Sequence, residues 1–394
     1  MKSFIRQALS LGSLALVFAP QIAFAHGLSE GVTKSALVEP AQIVDCTLTD
    51  GSAAQCTRLV VSYLPDDLEI GPFCPATIDE EGGIWEWTGE NAGLYRVNKE
   101  YFQMLDRLGY RFYDDDGTVH IADIAKAQPV DDHACINVAL DETVTMTMLI
   151  PVNPVMAEEP TPLGVVSKVG VALDGVPIFS DAPSIQHTGH MPALDTCGGH
   201  VDPGGWYHWH ATSTDIETVF KKENVAADCA LPQDSSAKFG YAFDGYAIYG
   251  STDPDGSTPT DLDACRGHVG VTEEGHEAAY HYHATDEFPN LPKCLVGLVA
   301  QDNFKTTAQA GIGAEPDPDT EITRNEPPRP GNGMGQLPPG FEEAAHKLDV
   351  SVEELMKALD GSRGQRPDLK AAAARLGVSE ERLRAVLPPP PPGR

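Results

Sequence analysis

Tyr207-His208-Trp209-His210 and Tyr280-His281-Tyr282-His283 decide how this 394-residue chain is read. In an extended strand, successive side chains point to opposite faces. His208 and His210 then share one face, and Tyr207 and Trp209 share the other. His281 and His283 oppose Tyr280 and Tyr282 in the same way. The aromatic row anchors the strand in a core. The two imidazoles are left facing one point from a rigid element, which is what a metal requires of a His-x-His pair.

Each segment sits inside a longer repeated pattern. The first copy runs Asp174-Gly175, Cys197-Gly-Gly-His200, Tyr207 to His210, then Cys229. The second runs Asp244-Gly245, Cys265-Arg-Gly-His268, Tyr280 to His283, then Cys294. Matching features recur in the same order, 65 to 73 residues apart, so residues 163–300 form a duplicated core. His200 and His268, each after a glycine that lets the backbone approach closely, add a third imidazole to each pair. The candidate metal ligands are His200, His208, His210, His268, His281 and His283. Spacing leaves open one site per repeat or one site shared between repeats. Imidazole ligation suits Zn or Cu. A three-histidine zinc site with an open position would activate water, so a metal-dependent hydrolase or a copper oxidase is the alternative to a metal-binding protein. A metal-free surface interaction protein is a third reading. Asp174-Gly175 and Asp244-Gly245, between apolar runs, predict two-residue hairpin turns with both central residues at positive φ. Each turn leads toward a His-rich segment, which makes Asp174 and Asp244 the candidate catalytic residues. There is no His-Glu-x-x-His and no phosphate loop.

The start of the chain fixes an expected compartment. Lys2 and Arg6 precede the apolar run Leu9 to Phe18, and Ala23-Phe-Ala25 places small residues at a cleavage site. Residues 1–25 therefore read as a Sec signal peptide of a periplasmic or secreted protein. No later apolar run is long enough to span a bilayer, so the mature chain is expected to have no transmembrane segment. Cleavage leaves 26–35 as an N-terminal segment headed by His26, whose α-amino group and imidazole are a secondary copper-chelating candidate. In an oxidising compartment the eight cysteines are expected as disulfides. The repeat suggests Cys197 with Cys229 and Cys265 with Cys294. Cys46 with Cys56 and Cys74 with Cys135 would complete the set, an assignment that pattern alone leaves open.

Residues 36–162 read as a β-rich part, with strands at Leu59–Leu64 and Val144–Ile150 and a helix over Asn98–Leu108. The expected fold is mainly β: a β-sandwich-like body with two pseudo-repeats, plus a small α-helical C-terminal tail. Residues 301–340 read as a Pro/Gly/Asp-rich linker, 341–387 as two helical repeats and 388–394 as a polyproline tail. Ser351 and Ser379 are candidate N-caps of the helical repeats, and Glu354 completes a capping box with Ser351. The tail reads as a packing or docking module for a protein partner. The formal charge of −31, from 27 basic and 58 acidic groups, argues against nucleic acid or an anionic lipid surface. Residues 326–394 hold ten basic and ten acidic groups, so the acid excess lies on 26–325. The acidic turns Asp114–Asp116, Asp253-Pro-Asp255-Gly256 with Asp261 and Asp263, and Asp317-Pro-Asp319 loosely resemble Ca²⁺ loops without EF-hand spacing, which makes Ca a secondary cofactor candidate.

With Ile150-Pro-Val-Asn-Pro154, the Asp-Gly pairs, the two Cys-x-Gly-His elements and the two Tyr-His-aromatic-His segments, residues 36–300 resemble the YHYH family of exported bacterial proteins. The chain departs from the name motif at Trp209, an aromatic substitution that keeps the buried face. The resemblance implies an exported protein and a domain extent. It supplies no reaction.

Overall fold

A computed structural model describes residues 28–62, 68–272 and 278–314, and in the tail 347–348, 350, 355, 369–379 and 382–384. The chain divides into two compact units, Met1–Asp317 and Pro318–Arg394.

In the first unit the duplication becomes one eight-stranded sheet. Its order is Gly199–Val201, Tyr207–Trp209, Pro177–Phe179, Lys168–Ala172, Lys238–Ala242, Ala247–Tyr249, Ala279–His283, Gly267–Gly270. The first four strands belong to the first repeat and the last four to the second, in mirrored order. The halves join where Lys168–Ala172 pairs antiparallel with Lys238–Ala242, with Val171 opposite Tyr241. In each half the Tyr-His-aromatic-His strand runs parallel to the second arm of the hairpin, with Ile178 beside Trp209 and Ile248 beside Tyr282.

Both hairpins differ from the expected turn. Gly175 and Gly245 have φ of 85° and 91°, and neither Asp174 nor Asp244 has positive φ. Gly175 N–H donates to Ala172 O and Ala172 N–H to Val176 O; Gly245 and Ala242 repeat this pattern with Ala242 and Tyr246. These are three-residue loops, a tight turn followed by a left-handed glycine. The aspartate instead caps its own turn: Asp174 Oδ1 accepts from Val176 N–H at 2.9 Å.

A four-stranded sheet, ordered Gln42–Thr47, Ala53–Ser62, Thr145–Pro151, Phe304–Thr306, contributes to the same core. Met146, Met148 and Ile150 are buried while Thr145, Thr147 and Leu149 between them are half-buried, the period of a strand packed on one side. Burying each such side chain contributes about 1.5–3 kcal/mol. Phe304–Thr306 pairs with Thr145–Pro151, so the body extends past residue 300 into the expected linker. Three residues with a single buried aromatic are too short a run to stand out from Pro/Gly-rich surroundings. The expected helix is Lys99–Arg107, with Asn98 accepting from Tyr101 N–H and Tyr101, Phe102 and Leu105 buried. The expected strand at Leu59–Leu64 is the end of Ala53–Ser62 as far as Ser62, and residues 63–67 lie outside the described ones.

Four disulfides join Cys46–Cys56, Cys74–Cys135, Cys197–Cys229 and Cys265–Cys294. The last two occupy equivalent places in the two repeats. No helix among the described residues is long and apolar enough to cross a membrane.

In the second unit Leu348, Leu355, Ala372, Ala373 and Leu383 form a small apolar core around the helix Leu369–Arg375. Ser379 Oγ accepts from Arg382 N–H at 3.2 Å, the expected cap. Ser351, Glu354, residues 1–27 with His26 and the signal segment, Asp317-Pro-Asp319 and the polyproline run lie outside the described residues.

Candidate metal centre

Cross-strand pairing brings the third histidine of each repeat to the other two. His200 lies directly opposite His208, and His268 opposite His281. Side chains of directly opposed residues are near neighbours on one face of an antiparallel pair. His210 and His283 lie two residues further along that face. In the first repeat His210 Nε2 is 3.0 Å from both His208 Nε2 and His200 Nε2. In the second His281 Nε2 is 3.2 Å from His268 Nε2 and 2.9 Å from His283 Nε2. The six candidate ligands therefore form two separate triads, one per repeat.

The outer ring nitrogens fix the tautomers. His200 Nδ1 donates to Pro192 O at 3.0 Å, and His210 Nδ1 to Ser180 O. His281 Nδ1 donates to Ala279 O at 2.9 Å, His283 Nδ1 to Gly250 O at 2.7 Å, and His268 Nδ1 pairs with Asp261 Oδ1 at 2.8 Å. A carbonyl only accepts, so the proton sits on Nδ1 and Nε2 carries a lone pair. His208 Nδ1 is buried without a hydrogen-bond partner, the Trp206 carbonyl lying nearby outside good geometry.

Burial favours the neutral form of His200, His208, His210, His281 and His283. It holds His200 and His208 well below the ordinary imidazole value, and the neighbouring imidazoles push the same way. Burial lowers His210 and His283 to about 4 and also lowers His281. In both triads the Nε2 atoms face one another across about 3 Å, and in His200, His210, His281 and His283 the Nδ1–H bond to a carbonyl leaves Nε2 with a lone pair. Bonds of 2.0–2.1 Å to a tetrahedral zinc would set such nitrogens ~3.3 Å apart. Outer nitrogens donating to carbonyls or carboxylates are the usual support of metal-bound histidines.

The opposite face of each strand is a brace. Tyr207 Oη donates to Asp195 Oδ2 at 2.6 Å, and Tyr280 Oη to Asp263 Oδ2 at 2.9 Å. Trp209 Nε1–H donates to Asp174 Oδ2 at 3.2 Å, and Tyr282 Oη to Asp244 Oδ2 at 2.6 Å. The candidate catalytic residues Asp174 and Asp244 therefore lie against the aromatic row, on the far side of the strand from the imidazoles. Asp195 also accepts from Cys197 and Gly199 N–H, and Asp263 from Cys265 and Gly267 N–H. A Cβ on Gly199 or Gly267 would lie 2.1 Å from the Tyr207 or Tyr280 hydroxyl, so the glycine before each third histidine makes room for the tyrosine.

Asp-x-Cys-x-Gly-His recurs in both copies and marks Asp195 and Asp263 as a pair, whereas the sequence reading passed over Asp195 and placed Asp263 only in an acidic turn. Asp253, read from the sequence only as part of an acidic turn loosely resembling a Ca²⁺ loop, has its Oδ1 3.6 Å from His268 Nε2. Other acidic turns serve locally: Asp116 accepts from Thr118 N–H, Asp255 from Ser257 N–H, and Asp115 pairs with Arg111.

The chain thus contains a duplicated, mainly β domain carrying two three-histidine clusters. A sequence profile of the YHYH protein family matches residues 147–260 and 255–297. The chain carries a YHYH domain there, and residues 36–146 lie outside both matched segments. No curated protein and no solved structure matches the chain.

Proposed function

We propose that the protein is an exported metal-binding protein with two transition-metal sites, one formed by His200, His208 and His210 and the other by His268, His281 and His283. The observation that carries this is the convergence of Nε2 atoms at 2.9–3.2 Å in both triads, with Nδ1 of His200, His210, His281 and His283 bonded to backbone carbonyls. Nitrogen lone pairs facing one point repel, and a cation turns that repulsion into ligation. Imidazole donors favour zinc or copper over calcium or magnesium. The aromatic–aspartate brace holds the strands so that the imidazoles are pre-arranged, which lowers the ordering cost of binding. Export is supported by the four disulfides and the N-terminal pattern of charge, apolar run and small residues. A binding role is favoured over catalysis because Asp174 and Asp244 face away from the imidazoles.

Metal analysis of protein exported into the periplasm and purified without chelator tests the proposal. Zinc or copper near two per chain is expected, falling toward zero in the His208→Ala/His281→Ala double variant. Folded wild-type protein that neither carries metal nor takes it up would overturn it.

A further inference from the structure

The two triads share geometry and differ in charge. In the second repeat Asp253 Oδ1 stands 3.6 Å from His268 Nε2 and 3.7 Å from His283 Nε2. That places a carboxylate near the fourth corner of a tetrahedron, where ~3.3 Å is the ideal spacing for 2.0–2.1 Å bonds. Asp261, bonded to His268 Nδ1, adds a second negative charge behind the ligand. In the first repeat both places are neutral. Ser180 and Gly250 carbonyls hold His210 and His283 in the same way, and aligning the copies on them puts Pro183 where Asp253 stands. His200 Nδ1 meets the Pro192 carbonyl where His268 meets Asp261. Among the described residues no carboxylate joins His200, His208 and His210. Phe179 and Trp206 wall that triad, with ring centroids 5.2 and 4.9 Å from the His208 ring.

A cation held by His200, His208 and His210 against aromatic rings meets no negative charge that compensates its own. The cost of burying an ion rises with the square of its charge, so an uncompensated divalent ion suffers about four times the penalty of a monovalent one. Copper(I) accepts a three-coordinate shell of imidazoles, and among the described residues no carboxylate offers a fourth ligand. A divalent ion gains both a fourth ligand and charge compensation from Asp253.

We propose that the two sites are matched to different ions: the second binds a divalent ion with Asp253 as its fourth ligand, and the first holds copper(I) through His200, His208 and His210 alone. This rests on the metal-site reading of both triads. The test is an anaerobic titration of the full chain, once with Co²⁺ as a coloured divalent probe and once with copper(I) against a chromogenic copper(I) chelator. One tightly bound Co²⁺ with a tetrahedral visible spectrum is expected. Asp253→Asn should weaken it at least tenfold and His208→Ala should leave it unchanged. One copper(I) is expected, lost in His208→Ala and in the less buried variant His200→Ala, and retained in Asp253→Asn. Near-ultraviolet circular dichroism reports whether each variant keeps its fold. Equal Co²⁺ affinity at both sites, or an Asp253→Asn affinity within twofold of wild type, would overturn this inference and leave the metal-site reading standing. If neither ion binds at either triad, the metal-site reading itself is overturned.

Discussion

The two halves of the eight-stranded sheet are built on one plan and finished differently. Both place an imidazole opposite an imidazole across a strand pair, and both hang the aromatic row on aspartates. The first half is sealed: Tyr207, Trp209 and Asp195 are all buried. The second is more open, with Tyr280 half-buried and Asp263 exposed. The residue after the half's first cysteine is left-handed in both, but it is Gly198 in one and Arg266 in the other. Surroundings, turn residues and nearby charges vary between copies while the imidazole triad and its brace do not. Within this chain the triad is the feature both copies are arranged to hold, and the periphery is where they can diverge in chemistry.

The strongest way to break this comparison is through metal. If each half holds its own ion, loading at a thousand times the dissociation constant stabilises by about 4 kcal/mol per site. His208→Ala and His281→Ala should each remove one increment and spare the other, seen as thermal unfolding of loaded and chelated protein. A single substitution that removes both increments would mean one shared site.

A second difference lies behind the first triad. Asp181 follows the Ser180 carbonyl that holds His210, and the equivalent position in the second half is Ser251. Burial, with the nearby charges of Asp181 and Glu223 adding to it, raises the Glu86 carboxyl to about 8. The folded protein therefore holds this proton more tightly than the unfolded chain. The resulting stability is complete below the unfolded value of 4.5 and is lost as pH rises through about 8. Glu86→Gln should be more stable than wild type at pH 8 by on the order of 3 kcal/mol, with little difference at pH 4.5. Chemical denaturation at the two pH values measures this. Equal pH slopes in the two proteins would remove Glu86 from the account.

Gly198 and Arg266 sharpen the comparison at the backbone. A Cβ on Gly198 would lie 2.6 Å from Ala211 Cβ, at φ +86°. Gly198→Ala should cost about 2 kcal/mol. At φ +67° Arg266 carries the same conformation as a side-chain residue, held by bonds from its guanidinium to Pro289 O and Leu291 O at 2.6 and 2.9 Å. Arg266→Ala loses the bonds and keeps the strain, whereas Arg266→Gly loses only the bonds. The glycine variant should be the more stable of the two by about 1 kcal/mol in urea unfolding.

What the sequence could reveal follows from these contrasts. Alternation in Tyr-His-aromatic-His placed the imidazoles and aromatics on opposite faces, because strand geometry has a fixed period of two. Repetition identified the third histidine, since His200 and His268 each follow a cysteine and a glycine. Whether the six histidines made one site or two depended on strand order, which no local pattern encodes. The hairpin type was misjudged because Asp-Gly fits both a two-residue turn and the last two places of a three-residue one. Asp174 and Asp244 drew attention as acids near histidines in sequence, but the turn points them at the aromatic row. Asp253 has a proline, Pro183, as its counterpart in the first copy, so repetition does not mark it and only the fold brings it to His268 and His283.

A last pair of variants, one with the smallest expected effect, tests the sealed-versus-open contrast itself. Tyr207 Oη donates to Asp195, a carboxylate that burial raises to about 6 and that the tyrosine helps keep charged. Tyr207→Phe leaves that buried oxygen with only the longer Gly71 N–H contact at 3.4 Å, a loss of about 1–3 kcal/mol. Tyr280 Oη makes the equivalent bond to Asp263, but water reaches that carboxylate and replaces the hydroxyl. Tyr280→Phe should therefore cost about 0.5 kcal/mol or less. Neither ring touches the imidazole face, so metal content should be unchanged in both. Paired urea titrations measure the difference. Equal costs in the two halves would mean that solvent does not separate them, and the distinction would then rest on charge alone.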